Sequence, residues 1–254
     1  MEQVCGMRVL LIVAYDGTKY CGWQRQPAAP TVEETLCAAL GSFFHKDVQV
    51  IGASRTDSGV HALGNVAVFD IDTPVPADKI AQVINPLLPP DIVIQKSFEV
   101  RKDFHPRHTG CVKTYEYRIF NAKVNNPLIS RYADYCYVDL DVERMREAAI
   151  YLVGEHDFTS FCSADTQAEN HVRTIYSLDV DKSGDLITIR IRGNGFLYNM
   201  VRIIAGTLMQ AGRGFIEPHR VKEILEAKDR QAAGPTAAAK GLTLVKIEYE
   251  EPIR

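Results

Sequence analysis

The feature that most constrains this chain is an order of apolar periodicities that runs through once and then again. Residues 8–15, RVLLIVAY, are β-branched and apolar on both faces, which reads as a central strand. Residues 31–46 open with Thr31 and carry Glu34 three positions on, a capping-box pattern, and Leu36, Leu40 and Phe43 then follow helical spacing. Strands are expected at 48–53 and 64–71, a second helix over 76–88 that Pro86 disturbs or ends, and another strand at 91–100. The order is β-α-β-β-α-β.

From residue 111 the order begins again. CVKTYEYRIF (111–120) reads as a strand, and DVERMREAAIYLVG (141–154) as a helix stopped by Gly154. VRTIYSLDV (172–180) and LITIRIR (186–192) form a hairpin around DKSGD. A helix over 197–212, another over 218–228 and a strand at 242–249 complete the chain. The repeat is one of element order, not of aligned residues. It gives an α+β fold of two ferredoxin-like halves with antiparallel sheets, residues 1–105 and 106–254, divided near DFHPRHTG. A cleft between two such sheets would suit a large ligand.

A chain of 254 residues can bury a core in each half. The longest apolar run near the start, 9–14, is far too short to span a bilayer, and no export signal precedes it. The six cysteines form no C-x-x-C pair and read as reduced thiols of a cytoplasmic protein. The net charge of -3 does not by itself point to nucleic acid, but the distribution is uneven. Residues 186–214 hold Arg190, Arg192, Arg202 and Arg213 and no carboxylate, while acidic residues gather at 138–147. That split is compatible with a basic surface on a mildly acidic protein.

The stretch SRTDSGVHA, 54–62, joins two expected strands and sets Arg55, Asp57 and His61 on a glycine-hinged turn. In KTYEYRI, Lys113, Tyr115 and Tyr117 share one strand face, and Glu116 faces away. Tyrosines beside basic residues suit base stacking, though strand tyrosines are often simply packed. In LITIRIR the isoleucines alternate with Thr188, Arg190 and Arg192; that face suits a phosphate backbone, and equally the wet face of a sheet. Asn199 and Arg202 lie three apart on the helix that GNGFLYNMVR opens, away from its apolar stripe. Asp103, His105 and His108 are conceivable metal ligands, but Pro106 denies them the helix that would pair the histidines. No P-loop, dinucleotide fingerprint or G-x-S-x-G element occurs.

Taken together, YDGTKYCGWQRQP (15–27), SRTDSGVHA (54–62), KTYEYRI (113–119), GEHDFTSFC (154–162), GNGFLYNMVR (193–202) and GLTLVKIEY (241–249) resemble, in order and over nearly the whole chain, the motifs of the TruA family of tRNA pseudouridine synthases. The resemblance implies two ferredoxin-like halves around a central RNA-binding cleft, a homodimer, and no cofactor or metal. It implies conversion of uridines 38, 39 and 40 in the tRNA anticodon stem-loop to pseudouridine, in the cytoplasm.

Residue by residue, Asp57 matches the family's catalytic aspartate. Tyr115 matches the tyrosine against the uracil, and Arg202 the family's cleft arginine, which could pair with Asp57. Arg55 matches the arginine that holds the carboxylate ionised or fills the space of an extruded base. His61 matches the motif and reads as structural. The chain departs from the pattern at Ser54, where the family usually has glycine, and at HPRH, where only Arg107 matches. A metal-dependent RNA phosphoesterase built on Asp57, His61 and residues 103–108, and a non-catalytic RNA-binding module, are the alternatives.

Overall fold

A computed structural model of the chain describes residues 6–166, 168–250 and 253. Cys5 lies outside them; the other cysteines carry free thiols. The chain divides into two compact units, one of Met1–Cys111 with Leu244–Arg254 and one of Val112–Thr243. The first unit thus takes in most of the last strand.

In the first unit, β1 (Met7–Tyr15) is buried along most of its length, as its doubly apolar sequence requires. It pairs antiparallel with β3 (His61–Ile71) on one side and β4 (Ile92–Val100) on the other. Helix α1 (Val32–Phe44) starts where Thr31 Oγ1 accepts from the Glu34 amide, and it buries Val32, Leu36, Ala39 and Leu40. The expected strand at 48–53 shrinks to β2 (Ile51–Gly52), the residues that pair with β3. Val48 and Val50 are buried all the same, so their apolar character reports packing rather than a ladder.

The expected helix over 76–88 is broken. Only α2 (Ile80–Ile84) is α-helical, between 3-10 turns at Ala77–Lys79 and Asn85–Leu87. Pro86 lacks an N–H, and the Asn85 side chain turns aside to bond both backbone groups of Ile94. The strand labelled β10 (Leu242–Tyr249) returns from the chain's end to lie beside β3, giving the order β4-β1-β3-β10. Its Ile247 and Tyr249 pack on Leu10, Val66, Val68 and Phe104.

In the second unit, β5 (Cys111–Asn121) pairs with β9 (Leu186–Gly193), and β9 with β8 (Val172–Ser183), all antiparallel. Two short strands were not expected. The first, β6 (Asp134–Cys136), lies parallel to β5, and β7 (Gly154–Asp157) continues the order β5-β9-β8-β7. Helix α3 (Val142–Ile150) is capped by Asp141, whose carboxylate accepts from the Glu143 and Arg144 amides. Helix α4 (Met200–Gly212) is buried nearly all round, and α5 (Arg220–Ala227) follows it. Among the described residues no helix is long and apolar enough to cross a membrane.

Candidate active site

Between β2 and β3, burial alternates along residues 54–57. Ser54 and Thr56 point inward and are buried; Arg55 is exposed and Asp57 half-buried. Asp57 then opens a tight turn, with the Val60 amide donating to its carbonyl at 3.1 Å. Gly59, at φ +76°, takes the position that needs a left-handed residue. The turn thus holds the Asp57 carboxylate where the chain reverses. Ser54 has no left-handed angle, so the departure from glycine there costs no strain.

The loop is clasped by the first motif of the chain. The Trp23 amide donates to the Thr56 carbonyl at 3.0 Å, and the Gly59 amide and Ser58 hydroxyl donate to the Tyr20 carbonyl. Gly17 lies so close beneath Val60 that a Cβ would overlap the Val60 carbonyl oxygen. The Gly17 amide donates to His61 Nδ1 at 3.1 Å, with the Asp16 carboxylate at 3.2 Å from the same nitrogen. His61 is buried and gives its Nδ1 to this clasp. YDGTKYCGW and SRTDSGVHA are therefore one structural piece.

Arg107 stands near Arg55. Burial and the Arg55 charge both push its guanidinium pKa down, against the opposing pull of Glu33. His105 and His108 stack with ring centres 4.1 Å apart, and His105 Nδ1 accepts from the Arg107 amide. Among the described residues no three His, Cys, Asp or Glu side chains gather as metal ligands would.

In the second unit Tyr115 is buried on β5, with the Phe196 ring edge-on to it at 5.2 Å. Tyr117, on the same face, sets its hydroxyl 3.0 Å from both Asp134 Oδ2 and the Ala238 carbonyl. Burial, then Asp134, drives the Tyr117 pKa up. Arg202 donates from Nη1 to Asn199 Oδ1 at 2.7 Å and from Nε to the Ala237 carbonyl at 2.8 Å. Asn199 precedes α4 in a left-handed conformation, and its Nδ2 donates to Ser163 Oγ. The pairing of Asn199 with Arg202 follows from their spacing; the roles of Asp134, Ser163 and the 234–238 segment have no signal in the sequence.

On the arginine-bearing face of LITIRIR, Arg190 has a carboxylate partner. In the β5–β9 ladder Glu116 stands opposite Arg190, on the face away from Tyr115. Arg190 donates from Nε and Nη2 to Glu116 Oε1, and Arg118 Nη2 donates to Oε2 at 2.9 Å. Burial would push the Glu116 carboxyl up, but the bonds from Arg190 and Arg118 outweigh it and hold the pKa below the ordinary value. Arg190 thus has a carboxylate partner, and Arg213 reaches the Cys136 thiol at 3.3 Å. Asp57 and Arg55 lie in the first unit, Tyr115 and Arg202 in the second.

A rigid turn that presents a carboxylate, with arginines nearby and an aromatic-lined sheet elsewhere in the chain, is the equipment of an enzyme that handles an RNA base. Comparison with known proteins gives that class its family. The family described as tRNA pseudouridine synthase matches residues 11–108 and 148–250, and the chain belongs to it. It is 50% identical to tRNA pseudouridine synthase A of Brevibacillus brevis over 242 residues, covering 95% of this chain and 99% of that one. It is 45% identical to the protein of the same name from Bacillus subtilis over 247 residues, covering 96% and 100%.

Proposed function

We propose that the protein isomerises uridines 38, 39 and 40 of the tRNA anticodon stem-loop to pseudouridine, with Asp57 as the catalytic carboxylate. The observation that carries this reading is the Asp57 turn: a half-buried carboxylate on a loop fixed from beneath by the first motif. Membership of the tRNA pseudouridine synthase family supports the reaction and the substrate class.

The reaction breaks the C1′–N1 glycosidic bond, turns the uracil, and joins C1′ to C5. The C5 proton leaves and N1 gains one, so atoms balance and no electron donor or acceptor is required. The Asp57 carboxylate attacks the nucleotide and later departs. Extruding a nucleotide costs a few kcal/mol. Stacking on Tyr115 returns about 1–3 kcal/mol. Arg55, beside Arg107, meets the RNA next to the extruded base, and Arg202 is a further substrate-binding residue. The chemistry uses neither cofactor nor metal. In this reading the enzyme works as a homodimer in the cytoplasm. Its two units share one βαββαβ plan, supported by matching sheet orders, β1-β3-β2 in the first and β5-β9-β8 in the second.

The test is Asp57→Asn, assayed on one sample for tritium release from tRNA labelled at uridine C5 and for tRNA binding. Release should vanish while binding survives, since affinity rests on cations and stacking. Substantial residual release removes Asp57 as the catalytic group; release abolished in the native enzyme by EDTA revives the metal alternative. Sedimentation that shows only monomer at micromolar protein would remove the dimer.

A further inference from the structure

Beneath the catalytic turn lies a polar network that the reaction itself does not touch. Tyr15 Oη and Thr56 Oγ1 are 2.6 Å apart, and both side chains are buried. Asn65 has no exposed surface. Its Nδ2 donates to the Ser54 carbonyl at 3.0 Å and to Tyr15 Oη at 3.4 Å, while its Oδ1 accepts from the Val66 amide at 2.9 Å. The Thr56 carbonyl is also held, by the Trp23 amide. One residue before Asp57, side chain and backbone are both tied down.

We infer that Tyr15, Thr56 and Asn65 are positioning residues that fix the direction of the Asp57 carboxylate through the Thr56 hydroxyl. The inference rests on the proposed catalytic role of Asp57. Three arguments carry it. Buried hydroxyls and amides stabilise a fold little over apolar groups of the same shape, so a network of them is not needed merely to fill this space. Its members converge on the short segment 54–56 from two different strands of the sheet, β1 and β3. Thr56 is buried and its neighbour Asp57 is only half-buried at the start of the turn, so anchoring Thr56 inward helps to set Asp57 outward. Asn65 donates to Tyr15 Oη, and Tyr15 and Thr56 share one hydroxyl–hydroxyl bond, so the three side chains form one connected network. A carboxylate misplaced by about 1 Å loses about a hundredfold in rate, and this network prevents that drift.

The test compares Thr56→Val, Thr56→Ser, Tyr15→Phe and Asp57→Asn in the full chain. The readouts are single-turnover tritium release at saturating enzyme, tRNA dissociation constant and thermal midpoint. Thr56→Val keeps the shape and removes the hydroxyl; Thr56→Ser keeps the hydroxyl. Thr56→Val and Tyr15→Phe should each slow the single turnover by about ten- to a hundredfold, with tRNA affinity unchanged. Thr56→Ser should keep most of the native rate, and Tyr15→Phe should add nothing in the Thr56→Val background. Native single-turnover rates in both Thr56→Val and Tyr15→Phe overturn the inference. So does a Thr56→Ser enzyme as slow as Thr56→Val, which would assign the effect to the methyl group. If Thr56→Val does not fold, Tyr15→Phe decides alone. Release that persists in Asp57→Asn overturns the underlying reading instead, and the two failures are told apart on the same plate.

Discussion

At the scale of single residues, the clearest change from what the sequence suggests is Arg190. Alternation along LITIRIR places it on a polar face, which is where it lies, but alternation says nothing of the partner opposite. Glu116 is that partner, its side chain only 7% exposed against 56% for Arg190. Arg190→Ala should therefore act first on stability, not on the salt dependence of tRNA binding. Arg118 remains to hold the carboxylate, and Arg190 is half in water, so the loss should be about 1 kcal/mol. The pH dependence has a definite sign. The folded-state pKa of Glu116 is lowered, so its pairing stabilises fully above the ordinary glutamate value of 4.5 and is lost as the pH falls through the lowered one. Urea unfolding should show the native–variant difference at pH 7 and a smaller one well below pH 4.5. A flattened tRNA salt slope with unchanged stability would return Arg190 to the RNA surface.

At the scale of elements, periodicity located most strands and helices, and misjudged those whose limits are set elsewhere in the chain. The helix over 76–88 is interrupted at Pro86, which lacks an N–H, and the Asn85 side chain beside it bonds Ile94. The strand at 48–53 shortens because only two of its residues pair with β3. The candidate residues Arg55, Asp57, Tyr115 and Arg202 were legible because motifs keep them in fixed local contexts. The Ala237 carbonyl that Arg202 bonds was not, because it lies 35 residues away along the chain. Helix α4 carries the same lesson in Gly206. Within an ordinary helix, glycine to alanine stabilises by about 1 kcal/mol. Here a Cβ would overlap the Pro235 carbonyl oxygen, part of the segment whose Ala237 bonds Arg202. Gly206→Ala should lower the thermal midpoint, by an amount typical of overpacking, about 1–3 kcal/mol. A raised midpoint would mean that the 234–238 segment yields easily and does not hold Arg202.

At the scale of the whole molecule, the first unit is assembled from both ends of the chain. A repeat read in sequence order assigns 242–249 to the second half. In the fold, Leu244–Arg254 joins the first. The reason is local and apolar. Tyr249 sets its ring edge-on to Phe104 at 4.9 Å and donates its hydroxyl to the Pro106 carbonyl at 2.9 Å, while Ile247 packs on the same core. This also ties down the HPRH stretch that departs from the family pattern. A chain stopped after Thr243 should therefore fail first at its beginning. It loses the fully buried Leu244 and the partly buried Ile247 and Tyr249 from the first unit, where a truncation in the core costs about 2–5 kcal/mol, and it exposes the β3 edge. Hydrogen exchange should show β1 and β3 opening faster, with α3 and β8 much less affected, and an added peptide of residues 244–254 should restore part of the protection. Equal loss of protection in α3 and β8 would show that the chain unfolds as one cooperative body. Unchanged protection in β1 and β3 would show that the first unit holds without its C-terminal strand.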